Sequence, residues 1–133
     1  AAQIVAICAR CHHPPGGVEP DPADPTYTRQ QTFTMPRSRC YTESNGGMSC
    51  VTCHNPHRDV ETAPAFYERK CLECHSEQKE APARHVAKTT CPVNPRTDCL
   101  TCHMPRVENP TEHSFFTDHE IRVHRDERKH ASR

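Results

Sequence analysis

Four times in this chain two cysteines stand two residues apart and a histidine follows directly. The units are Cys8-Ala9-Arg10-Cys11-His12, Cys50-Val51-Thr52-Cys53-His54, Cys71-Leu72-Glu73-Cys74-His75 and Cys99-Leu100-Thr101-Cys102-His103. At i and i+3 of a helical turn the two sulfurs share a face, and a histidine one residue on can swing beneath whatever they hold. The pattern predicts a helical turn at each unit and a flat group anchored by both sulfurs.

Haem c is the group that needs this spacing. Each thiol adds across a vinyl group to form a thioether, and the neighbouring imidazole binds iron as the proximal ligand. Cys8, Cys11, Cys50, Cys53, Cys71, Cys74, Cys99 and Cys102 are the expected attachment residues of four haems c, with His12, His54, His75 and His103 as proximal ligands. Zinc competes for paired cysteines, but a zinc ribbon has no reason to demand histidine at the same offset each time.

The rest of the composition makes such a group necessary for folding. Of 133 residues 33% are hydrophobic and 5% aromatic, there is no Trp, and 13 are proline. Side chains alone cannot build a generous core here, and small domains of this kind use disulfides, metals or covalent cofactors as staples. Four haems leave only about 33 residues to wrap each ring, so the rings should pack on one another and supply the missing burial. The expected fold is a single small haem-packed domain over 1–133, mostly irregular, with a few short α-helices and little or no β-sheet.

Motifs starting at 8, 50, 71 and 99 have no fixed period, so a solenoid is not indicated. Six prolines (14, 15, 20, 22, 25 and 36), with Gly16 and Gly17, predict an irregular extended loop over 13–37. Ala65 to Lys70 predicts a helix leading straight into Cys71. A second helix is predicted from Phe115 to Lys129, with Asp118 as its N-cap and Ile121, Val123 and His124 as its less polar positions, inside a charged helix or tail over about 115–133.

Net charge is zero, with 17 basic and 17 acidic residues, which argues against nucleic acid or an anionic membrane as a partner. No apolar run approaches the ~18 residues of a membrane span. The stretch from Ala1 to Ile7 is too short for a complete signal peptide, so the sequence reads as a mature or processed form.

Seven further histidines remain for the far side of the irons: His13, His57, His85, His113, His119, His124 and His130. Six-coordination throughout needs four of them. His57, His85, His113 and His119 form the preferred distal set. His57 stands behind Pro56, which turns a second imidazole away from the first ring and toward a neighbouring haem. His13, His124, His130 and Met35 are alternates. Met104 and Met48 sit too close to their own motifs. Bis-histidine ligation leaves no open position for a substrate and favours electron transfer over catalysis. Cys40 and Cys91 lie outside the motifs. An even remainder in an exported protein suggests a disulfide, of about 4 kcal/mol on the chain-entropy model, with two free buried thiols as the alternative.

The chain resembles multihaem c-type cytochromes, particularly the tetrahaem modules found alone or joined to tetratricopeptide repeats in bacterial exported proteins. Besides the motifs, the resemblance rests on Ser38-Arg-Cys40-Tyr-Thr-Glu-Ser44, Asn55-Pro56-His57, Cys91-Pro-Val-Asn94, Met104-Pro-Arg106 and Phe116-Thr-Asp-His119-Glu-Ile-Arg122. It implies that Cys40 and Cys91 form a matched pair and that His57 and His119 are ligands. No repeat region follows the last motif here, so partner recognition by such repeats does not carry over.

The expected function is an exported electron carrier, periplasmic, at the cell surface or extracellular, that exchanges electrons with redox partner proteins. Scarcity of chain per haem would leave terminal rings able to stack on another copy, which extends the expectation to a homopolymeric conductive filament. The alternative is a multihaem enzyme acting on a small nitrogen compound through an open haem site.

Overall fold

Each cysteine pair lies in a helical turn. In the computed structural model, which describes residues 1–13, 19–24, 26–76 and 91–124, the first helix, α1, spans Ala2–His12. Its Arg10 and His12 stand in the last turn, where cations favour the helix dipole, and it stops at His13, whose backbone is extended. The second unit forms α4 (Cys50–Cys53), begun by the Ser49 N–H donating to Thr52 Oγ1 at 2.9 Å. The third ends α5 (Pro64–His75). Pro64 opens that helix, where no N–H is required, and Ala65, Glu68, Arg69, Lys70 and Leu72 are good helix formers. The helix expected before Cys71 is therefore present and runs on through the motif. The fourth unit forms α6 (Cys99–His103), entered through Asp98 in the left-handed region at φ 59°.

Residues 27–37 depart from the extended loop expected over 13–37. They make a 3-10 turn at Tyr27–Arg29, the single turn α2 (Gln31–Thr34), and another 3-10 turn at Met35–Arg37. Pro36 sits at the start of that last turn, where its fixed φ and missing N–H suit a helical opening. Residues 14–18 and 25 lie outside the described residues. A short helix α3 (Arg39–Glu43) follows, stapled on its surface by Arg39 to Glu43.

The helix expected from Phe115 to Lys129 does not form over its described part. Strands β1 (Arg106–Asn109) and β2 (Ser114–Thr117) pair antiparallel, with Val107 opposite Phe116 and Arg106 opposite Thr117. Phe115, Phe116 and Thr117 are strand-favouring residues, and a facing strand decides the matter. The buried Asn109 shapes the connection, its Oδ1 accepting from the N–H groups of Thr111 and Glu112 at 3.0 and 3.2 Å. Asp118 is no helix cap: its Oδ1 accepts from the Glu120 N–H at 2.9 Å in a local turn. Positions 125–133 lie outside the described residues. Short helices and one two-stranded sheet make up the regular structure of the described residues, in keeping with the mostly irregular, short-helix fold expected.

The interior is thin and polar. Tyr27 and Met35 are the buried hydrophobic residues among those described, against seven buried polar ones: Thr28, Thr32, Thr34, Ser38, Ser49, Asn109 and Asp118. Ile7, beside Cys8, and Val51, inside the second motif, remain 67% and 47% exposed. Among the described residues no helix is long and apolar enough to cross a membrane.

Candidate cofactor-binding site

The segment following β2 brings the motifs into register with the rest of the fold. The Asp118 N–H donates to the Pro105 carbonyl at 3.0 Å, and Arg122 donates to the His103 carbonyl at 3.3 Å. Ser38 Oγ fastens the middle of this segment, donating to the His119 carbonyl at 3.2 Å and accepting from the Ile121 N–H at 2.8 Å. The Tyr27 hydroxyl donates to Glu120 Oε2 at 3.0 Å. Residues 118–122 thus form a strap held at Pro105, His103, Ser38 and Tyr27.

That strap carries His119 to His54. Their ring centroids are 6.2 Å apart, with the planes inclined by 31°. His119 Nδ1 lies 2.8 Å from the Thr117 carbonyl oxygen. A carbonyl only accepts, so Nδ1 carries the hydrogen and Nε2 keeps its lone pair. His103 has the same arrangement, with Nδ1 3.2 Å from the Arg122 carbonyl oxygen. Hydrogen bonding of this kind orients a metal-binding imidazole and raises its basicity.

Burial holds His119 below the ordinary histidine range, opposed by its Thr117 hydrogen bond and reinforced by nearby His54. His54, though exposed, is lowered too, first by the partial desolvation of its ring and then by His12. Three predicted ligands, His12, His54 and His119, therefore lie close enough to feel one another, and His54 and His119 are favoured in the neutral form that binds metal. Tyr67 flanks His54 at 5.6 Å between ring centroids.

The other expected ligands are placed less closely. His75 is half-buried at the end of α5. His57 is exposed, its N–H donating to Asn55 Oδ1 at 3.0 Å in the turn around Pro56. His113 is exposed in the hairpin connection with φ 49°. His85 and His130 lie outside the described residues. Among the alternates, His13 meets Phe33 edge-on at 6.5 Å, His124 Nε2 lies 4.0 Å from Asp118 Oδ2, and Met35 is buried in the small core.

The attachment cysteines act on one another across motifs. Cys8 adds to the upward push on the Cys50 thiol, and Cys71 and Cys99 act on each other. Burial, in every case the leading cause, pushes the thiols of Cys40, Cys53, Cys74 and Cys99 up, Cys50 to about 11 and Cys71 to about 12. These are opposite to the lowered values of catalytic cysteines. Cys40 and Cys91 are both half-buried, and, like the other eight cysteines, neither is bonded to another sulfur in the structure. Cys74 adds a little to the upward push on Cys40, and Cys91 to that on Cys99.

The chain matches no protein-family model, no curated protein and no solved structure. The site therefore stands on its own residues. Among the described residues no three His, Cys, Asp or Glu side chains converge to hold a metal ion.

The motifs mark the proximal histidines; Ser38, Thr117 and Arg122 stand in the stretches that carry the resemblance, but their parts in holding His119 and His103, and that of Tyr67, had no signal in the sequence. They act through backbone oxygens, a hydroxyl and a ring face, brought in from distant or irregular segments.

Proposed function

We propose that this chain is a tetrahaem c-type cytochrome that carries electrons outside the reducing cytosol. The reading is carried by the fourfold Cys-x-x-Cys-His unit, each copy on a helical turn. The eight motif cysteines hold four haems as thioethers, and His12, His54, His75 and His103 are the proximal ligands. His119 is the distal ligand opposite His54, with His57, His85 and His113 as the remaining distal set. When bound, each haem supplies an iron that changes between ferric and ferrous states.

The chain's own residues serve this role by position and protonation. Thr117 and Arg122 hold His119 and His103 in the tautomer that presents Nε2. Ser38 and Tyr27 keep the strap in place. The thin polar interior and the bare Ile7 and Val51 beside attachment cysteines fit a domain whose apolar burial comes from rings rather than side chains. Electrons are exchanged with redox partner proteins, and exposed terminal rings would let copies stack into a filament.

Pyridine haemochrome quantitation, with the intact mass of the exported protein, tests the reading. Four covalently bound haems per chain are expected; a chain exported without haem and carrying zinc would overturn it.

A further inference from the structure

His54 differs from His119 and His103 in what holds its ring. Those two turn Nδ1 to the main-chain carbonyls of Thr117 and Arg122, and such a bond fixes how an imidazole is rotated. Among the described residues the His54 ring has no hydrogen-bond partner. Two rings flank it instead: Tyr67 at 5.6 Å between centroids, with the planes inclined by 57°, and His119 at 6.2 Å. Tyr67 reaches this place because α4, which runs directly into His54, packs on α5.

Tyr67 is itself fixed at both ends. Its backbone lies near the start of α5, and its hydroxyl donates to the Glu61 carbonyl at 2.7 Å. That carbonyl stands in a closed turn, because Glu61 Oε1 accepts the N–H groups of Thr62 and Ala63 at 2.8 and 2.9 Å, and the Phe66 N–H donates to the Ala63 carbonyl at 3.0 Å. Phe66 meets the Tyr67 ring edge-on at 5.2 Å, and the Arg69 guanidinium lies 5.7 Å over Phe66. A ring whose own rotamer is locked by packing can hold a ligand in one orientation. On the reading proposed above, in which His54 is an axial ligand, we infer that Tyr67 is a positioning residue whose ring sets the rotation of the His54 imidazole. Ring and hydroxyl have separable parts: the ring meets the ligand, while the hydroxyl ties the ring to the turn before α5. Helix α5 and Phe66 remain to hold a phenyl ring in the same place.

Electron paramagnetic resonance of the ferric holoprotein tests this, since the g-values of a low-spin iron depend on how its axial imidazoles are rotated. Tyr67→Leu should displace the g-values of one low-spin signal and leave the others in place, and Tyr67→Phe should keep the native spectrum. Where Tyr67→Leu does not accumulate as holoprotein, Tyr67→Trp takes its place, because a wider ring must turn His54 and displace the same signal. An unchanged spectrum in the Leu or Trp variant overturns the inference, as does displacement of every signal together, or a displacement in Tyr67→Phe as large as in the others. Haem content of the same samples separates the two claims: four haems with an unchanged spectrum overturn the positioning role alone, while a chain exported without haem overturns the proposed function with it.

Discussion

The Ser38 hydroxyl donates to the main-chain carbonyl of His119 from 81 residues away, while accepting the N–H of Ile121. A buried residue with no role in the motifs thus sets where a candidate ligand stands. Replacing it removes two hydrogen bonds and leaves a main-chain N–H without its acceptor, which costs about 1–3 kcal/mol. Ser38→Ala should lower stability by that amount in denaturant titration of the holoprotein and make the iron on His54 easier to attack by exogenous ligands. An unchanged midpoint would show that the strap is held elsewhere.

His119→Ala tests the pairing with His54. One iron in four should become high-spin and bind cyanide or carbon monoxide, with all four haems still covalently attached. Electron paramagnetic resonance of the ferric variant provides the measurement. A wholly low-spin spectrum would remove His119 from the ligand set.

The phenol of Tyr27 is pushed up to about 12, first by burial and then by the Glu120 carboxylate it donates to. A raised folded-state value means the native chain holds that proton more tightly than the unfolded chain, where the phenol titrates near 10. The stabilisation is complete below pH 10 and is lost as pH climbs from 10 to 12. Stability measured across this window should therefore fall less steeply in Tyr27→Phe, which also loses about 1 kcal/mol at neutral pH with the hydrogen bond to Glu120. Identical slopes for the two proteins would place the alkaline loss on other groups.

Thiol counting distinguishes free cysteines from a disulfide at Cys40 and Cys91. With eight sulfurs in thioethers, the denatured holoprotein should give two alkylatable thiols without reductant, and Cys40→Ser with Cys91→Ser should retain four haems. Zero thiols before reduction and two after it would restore the disulfide.

What could be read from the sequence was local. The i, i+3 cysteines and the helix formers from Ala65 to Lys70 are decided within a turn or two, and the helices at those positions follow. The hairpin was not legible, because Phe115 to Thr117 become a strand only when Arg106 to Asn109 lie alongside, a pairing that no short window contains. The short helices from Tyr27 to Arg37 were hidden by proline, which reads as a breaker yet opens a helical turn at Pro36. The candidate site divides in the same way. Each proximal histidine is marked by its own motif, whereas the meeting of His54 with His119 depends on Ser38 and on the hairpin that delivers the strap.

The polar interior also bears on how stability changes with temperature. Exposing apolar surface raises heat capacity on unfolding, and exposing threonine, serine and asparagine lowers it. The side chains that this polypeptide buries would by themselves give an unusually flat stability curve. Any pronounced curvature, and with it any tendency to unfold in the cold, must come from hydrocarbon that the amino acids do not provide.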